Sequence, residues 1–307
     1  MPMLVRKTQL LAKAETNEGT AETPGTADAL LIFDSGFEPT VEMHERNPRR
    51  ETLSKLITLA GRRSARMNFQ CELHGSGTAG VAPPWGKLLK ACGFAESIST
   101  GTSVTYSPAS EDIDSLTLEL RMDGVVKRIW GARGNVRLTL EGGKPGLLNF
   151  EFTGIDSEVE DDDLVSASYN ATLPPVFLEA SFVIDSYGAL IERLEVNMNN
   201  ELTLRPSVNT ACGYSSVFIS DRNPTATFDP EAVTVATKDF FSMWRTNAGI
   251  AMAATLGATA GNIIALSAPK TRLHEVRVDE RAKIYTYPIT ALLAMNTGDD
   301  EFSITLT

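Results

Sequence analysis

The sequence predicts a mainly β protein of two tandem, related β-sandwich or half-barrel domains, each with one packed α-helix. Three observations lead there. A stretch of the first half matches a stretch of the second without gaps, with apolar positions spaced by two. Each half holds one apolar stripe of helical spacing, and turn-forming residues punctuate the rest. Composition agrees: of 307 residues, 42% are hydrophobic and 22% charged, the balance of a folded chain long enough for two cores.

The internal match runs from 124–154 to 261–291. Val126 meets Ile263, Ile129 meets Leu266, Arg133 meets Lys270 and Val136 meets Leu273. Further on, Phe150 meets Tyr287 and Phe152 meets Ile289. Apolar residues fall on apolar residues at a period of two, as two copies of one strand pair would give.

Taken in order, residues 1–30 read as an N-terminal arm. After Arg6 and Lys7 it turns polar instead of apolar, so no secretory signal is read there. Residues 31–155 make the first domain. Its strand at 67–73 alternates Met67, Phe69, Cys71 and Leu73 against Asn68, Gln70 and Glu72. Pro83 and Pro84 open a helix on which Trp85, Leu88, Leu89 and Cys92 share a face, closed by Gly93. Strands follow at 116–121, 136–141 and 147–153.

Residues 156–175 read as a linker, an acidic run followed by Pro174 and Pro175. Clustered carboxylates could hold calcium, but the run lacks the spaced ligands and Gly turn of a calcium loop, which favours a solvated linker. The second domain spans 176–307. It starts its helix at a Thr237 cap, with Phe240, Phe241 and Trp244 on the apolar face. Phe240 and Phe241 take the places of Leu88 and Leu89. The uncharged stretch 249–269 has nearly the length of a membrane span, but Gly257, Gly261 and Asn262 interrupt it and predict a hairpin, 250–256 then 263–267.

Charge and chemistry narrow the function. The net charge of −11 argues against a nucleic-acid-binding patch. Cys71, Cys92 and Cys212 show no metal or redox spacing and read as buried, reduced thiols. His44, His74 and His274 are scattered. The glycine-rich 75–80 lacks the GK[ST] ending of a phosphate loop. Trp85, Trp130 and Trp244 could stack sugars, yet two lie on helix stripes, which favours core packing. Arg62, Arg63 and Arg66 could bind phosphate or make subunit contacts. No nucleophile, acid and base come together by motif, so neither an enzyme nor a cofactor is expected. If Phe69, Leu118, Leu138 and Phe150 face the core, Glu72, Glu119, Glu141 and Glu151 face away. Two long connections, 43–61 and 205–216, mix charged and apolar residues and suit a docking role.

Leu10 to Thr16 with Gly19 and Thr20, His74 to Gly80, Ala82 to Gly86, Ala91 to Phe94, Val104 to Pro108 and Gly131 to Gly134 together resemble the major tail tube proteins of phages with long, non-contractile tails. The resemblance covers nearly the whole chain. It implies two tail-tube domains per chain and a homotrimeric ring of pseudo-six-fold symmetry, stacked into a conduit for the genome. It further implies that tape-measure protein and DNA pass through the lumen without specific binding. Other tail proteins would meet the tube ends, with no membrane partner, and the chain would be made in the host cytoplasm before joining the virion tail. Glu72, Glu119, Glu141 and Glu151 become candidate lumen residues. Arg46, Arg49, Arg50, Leu53, Leu56, Arg205 and Tyr214 become candidate ring-stacking residues. The alternative is a two-domain β-sandwich binding or decoration module of a virion. Exposed aromatic clusters would favour that, but aromatics are only 7%.

Overall fold

Alternating apolar and polar residues make strands of most of the chain. The structure, a computed structural model describing residues 2–307, sets two short helices among antiparallel strands. The first half runs β1 (Thr8–Ala14), β2 (Ala29–Leu30), β3 (Phe33–His44), β4 (Leu59–Glu72), α1 (Gly86–Ala91), β5 (Phe94–Ser99), β6 (Ser103–Pro108), β7 (Leu116–Met122), β8 (Val125–Glu141) and β9 (Leu147–Asp156). The connection holds β10 (Glu160–Asp161), and β11 (Val183–Ile184) opens the second half. The second half then runs β12 (Arg193–Asn197), β13 (Asn200–Pro206), β14 (Tyr214–Arg222), β15 (Thr225–Phe228), α2 (Phe240–Arg245), β16 (Gly249–Leu256), β17 (Ile264–Val276), β18 (Asp279–Arg281), β19 (Ile284–Thr286), β20 (Ile289–Leu293) and β21 (Ser303–Leu306).

In the first half β4 pairs with β3 and β9, β9 with β8, β8 with β7, and β7 with β1. In the second half β15 pairs with β12 and β20, β20 with β17, β17 with β16, and β16 with β11. Each helix falls at the same step, after β4 or β15 and before β7 or β16. One register departs from the ungapped match. Val136 lies opposite Phe150, but Leu273 lies opposite Ala291 instead of Tyr287. The β18–β19 hairpin lengthens the connection between β17 and β20, and the match breaks there.

The halves meet where β8 pairs with β12. Leu138 stands opposite Val196 and Leu140 opposite Leu194, all four buried. Strands β3, β4, β9, β8, β12, β15, β20 and β17 thereby form one continuous antiparallel stretch. Its apolar face packs into a single core with β1, β7 and the helices. Phe69 stacks on Phe152 at 5.9 Å and tilts against Phe150 at 5.6 Å, separations typical of favourable aromatic pairs. On the other side of the core, β21 pairs with β17 and with β6, so residues 303–306 stitch the β5–β6 hairpin of the first half to the second.

Several expectations change. Thr8–Ala14 is no arm: β1 buries Leu10, Leu11 and Ala12 against β7. α2 is capped by Asp239, whose Oδ1 accepts from Ser242 N at 2.8 Å, while the Thr237 hydroxyl bonds that of Thr234. Trp85 is buried and its Nε1 donates to His74 O at 2.9 Å, but Trp244 is 37% exposed. Trp244 lies next to the last residue of the short α2, and its Nε1 donates to His274 O at 2.8 Å. Residues 43–61 are strand at both ends, leaving 45–58 as the tip of a long hairpin; 207–213 is the tip of the β13–β14 hairpin. Stretch 249–269 forms the predicted hairpin. Among the described residues no helix is long and apolar enough to cross a membrane.

The glycine-rich loop is a backbone crossing point. Gly77 N donates to Gly261 O at 3.1 Å and Gly75 N to Asn262 Oδ1 at 2.7 Å. Gly261 has φ +82°, and a Cβ there would stand 2.4 Å from Thr78 N and 2.5 Å from Gly77 C. Gly261→Ala therefore destabilises by on the order of 1–3 kcal/mol from backbone strain alone. Thermal unfolding checks this, and an unchanged midpoint would contradict it.

Candidate functional site

With Phe69, Leu138 and Phe150 turned to the core, their sequence neighbours emerge on the opposite face of the sheet. Glu151 stands in a row with Asn68 and Asn135, and Glu141 lies opposite Arg193. Glu72 begins a row that runs through Leu147, Thr139, Glu195, Thr227 and Thr290 to Glu275, crossing both halves unbroken. The carboxylates have company. Arg66 lies 3.8 Å from Glu151, Arg193 2.7 Å from Glu195 and Arg277 2.8 Å from Glu275. Lys144 lies 2.7 Å from Glu141. The face thus carries both signs. The arginines occupy the same alternating positions as the acids, so the alternation that marks one marks the other.

Glu119 is not on that face. β7 is flanked by β1 and β8, and every residue from Leu116 to Arg121 is buried, so the strand has no solvent side. The Glu119 carboxylate accepts from Arg121 Nη2 at 3.0 Å and Arg128 Nε at 2.8 Å. Two guanidiniums compensate a charge that would otherwise be costly to bury. Arg121 Nη1 also holds Asp162 at 2.7 Å and the Asp163 carbonyl at 2.7 Å. The hydrogen bond from Arg121 keeps the Asp162 carboxyl below the usual range. The acidic run is therefore clasped to the first half, where β10 also pairs with β8. Among the described residues, no three His, Cys, Asp or Glu side chains are grouped to hold a metal ion. All three cysteines are free and buried, and burial pushes the Cys71 thiol up to about 12, far from a nucleophile's range.

The β13–β14 hairpin leaves the sheet and lies over the end of α1. Asn200 Nδ2 donates to Cys92 O at 2.8 Å and to Gly134 O at 3.0 Å. Buried Arg133 donates to Val217 O at 2.5 Å, Ile113 O at 2.6 Å and Glu18 at 3.0 Å. Two of the candidate stacking residues face their own chain here. Tyr214 Oη donates to Glu42 at 3.3 Å and its ring sits 5.6 Å beneath the Arg62 guanidinium, while Arg205 lies 4.0 Å from Glu18. Arg46, Arg49, Arg50 and Leu53 are exposed at the tip of the β3–β4 hairpin, with Leu56 half-buried among them.

The sheet ends in open edges. Among the described residues β3 pairs with β4 alone, and its 12 residues present an unpaired outer edge. β17 beyond Arg272 pairs with β20 on one side and with no strand on the other, where Trp244 Nε1 holds the His274 carbonyl. Unpaired backbone groups of this kind are a template for a further strand. A family model described as phage tail tube protein matches residues 6–293. No curated protein matches the chain.

Proposed function

The chain belongs to the phage tail tube protein family, and from that premise we propose that three copies close head-to-tail into a ring and that rings stack into the tube of the virion tail. The observation that carries this is the continuous sheet with an open edge at each end, β3 and the end of β17. Two different edges joined head-to-tail close into a ring when the rotation permits, and closure removes every edge. Residues 31–155 and 176–307 act as related units joined through 156–175, so three chains present six units. The recurring order of strand pairings supports that count.

In this reading the polar face lines the bore, with Glu72, Glu141 and Glu151 among its residues. Acids interleaved with arginines give a wall that neither grips phosphate nor repels it at long range, since screening confines charge effects to about 8 Å at physiological salt. Tape-measure protein and genome pass along it, other tail proteins cap the tube ends, and synthesis takes place in the host cytoplasm. Arg46, Arg49, Arg50, Leu53 and Leu56, at the hairpin tip, contact the next ring. Negative-stain microscopy of the purified protein, with ring mass measured in parallel, is expected to find three-copy rings and tubes. Replacing 46–57 by a short turn is expected to leave rings that no longer stack. A chain that stays monomeric overturns the proposal.

A further inference from the structure

Within the chain, the C-terminal end of α1 is covered. Cys92 is fully buried, Asn200 bonds its carbonyl, and Ile219 Cδ1 reaches to 3.2 Å from where a Cβ on Gly93 would stand. Asn200 and Ile219 belong to the β13–β14 hairpin, Ile113 adds to the cover at 3.9 Å from the same point, and Arg133 fastens the hairpin through the Val217 carbonyl. The second half has the same ground without the cover. Aligning Leu88 and Leu89 with Phe240 and Phe241 puts Trp244 in the place of Cys92, and the ungapped match puts Lys270 in the place of Arg133. Trp244 is 37% exposed, a large apolar group left in water at the position where the first half is sealed.

The β3–β4 hairpin precedes the first half's helix as β12 to β15 precede the second's, and its tip 45–58 stands where β13–β14 stands in the second half. Its first strand is exposed along most of its length, including Val41 and Met43. The charges match as well. Among the described residues, Arg245, Lys270 and Arg272 take part in no salt bridge, and neither do Asp34 and Glu38 on β3; Arg272 instead holds the Asn247 carbonyl just past α2. Glu42 has His44 as its one cation, at 4.0 Å, and accepts a hydrogen bond from Tyr214 of its own chain.

We propose that the β3–β4 hairpin of one copy lies across the α2 end of a second copy, over Trp244, with Glu38 and Glu42 facing Lys270 and Arg245. The contact repeats between chains the seam that β13–β14 makes within one. It rests on the ring reading above and specifies which surfaces meet. Trp244 becomes a core residue of the assembly, and Lys270 takes the fastening role that Arg133 has internally.

Charge reversal tests this on the full chain. Glu38→Lys with Glu42→Lys, or Arg245→Glu with Lys270→Glu, is expected to raise the concentration for half-assembly by about tenfold or more, the scale of opposed charges across an interface. Circular dichroism and thermal unfolding serve to show that the monomers remain folded. The variant with all four reversals restores the charge match and is expected to assemble again. Acrylamide quenching gives a second readout: assembly of the wild type shields one tryptophan, and Trp244→Phe abolishes the difference. Assembly indifferent to either reversal, four reversals that fail to restore it, or a Trp244 still quenched in tubes overturns the inference while leaving the ring reading standing. A wild-type chain that never assembles overturns both.

Discussion

Replacing Trp85 with alanine lowers the stability of the folded chain by about 3–5 kcal/mol, the usual cost of emptying a buried aromatic site. Trp85 is 1% exposed, packs against Tyr106 at 5.7 Å between ring centroids, and gives its Nε1 proton to His74 O. Truncation leaves a cavity and an unpaired carbonyl together, and the site is bounded by α1 and strands that cannot collapse independently. The melting temperature falls by on the order of 10 °C. Trp85→Phe, which keeps most of the volume and loses the hydrogen bond, falls less. A loss for Trp85→Ala below about 1 kcal/mol would falsify the anchoring role.

The second large effect comes from Glu119. Its carboxylate is fully enclosed, and the two guanidiniums that meet it lie on β7 and β8. Glu119→Ala removes the anion and leaves Arg121, itself nearly buried, with Asp162 as its remaining ion-pair partner. Breaking one side of a buried pair typically costs about 3–5 kcal/mol, because the charge left behind stays desolvated. Urea unfolding reads that loss as a lower midpoint. Glu119→Leu combined with Arg121→Met removes both charges and regains a large part of it, as apolar replacement of buried pairs does. A single variant as stable as wild type would mean that Arg121 and Arg128 find other partners.

Much of the architecture was legible in the sequence because period and punctuation encode it directly. The alternation at Met67, Phe69 and Cys71 and the glycines around Gly261 specify strands and turns whatever the rest of the chain does. Glu119 shows the limit. Alternation says which residues share a face but not whether both faces are covered, and β7 is covered on both. Trp244 shows another: a helical stripe says that a face seeks cover, not that the cover is in the same chain. The Thr237 cap failed because the helix starts at Phe240, so Asp239 is the residue placed to reach the Ser242 amide and Thr237 stands two residues too early. The register between β17 and β20 was hidden because an ungapped comparison cannot see the extra hairpin that displaces it. On the polar face, Glu72, Glu141 and Glu151 follow from pleating alone, whereas the arginine partners depend on strand register.

The strand at Ser303–Leu306 also sets a timetable for synthesis. Tyr106 lies opposite Ile304, so the β6 edge of the first half is closed by residues made almost two hundred positions later. Contacts that far apart in sequence are slow to form, because a long loop must be ordered before they repay it. A nascent chain can pair β7, β8 and β9 while still on the ribosome, but the β5–β6 hairpin waits, with one side bare, until residues 303–306 have emerged. Until then the growing polypeptide carries an extra adhesive strand that the finished protein lacks.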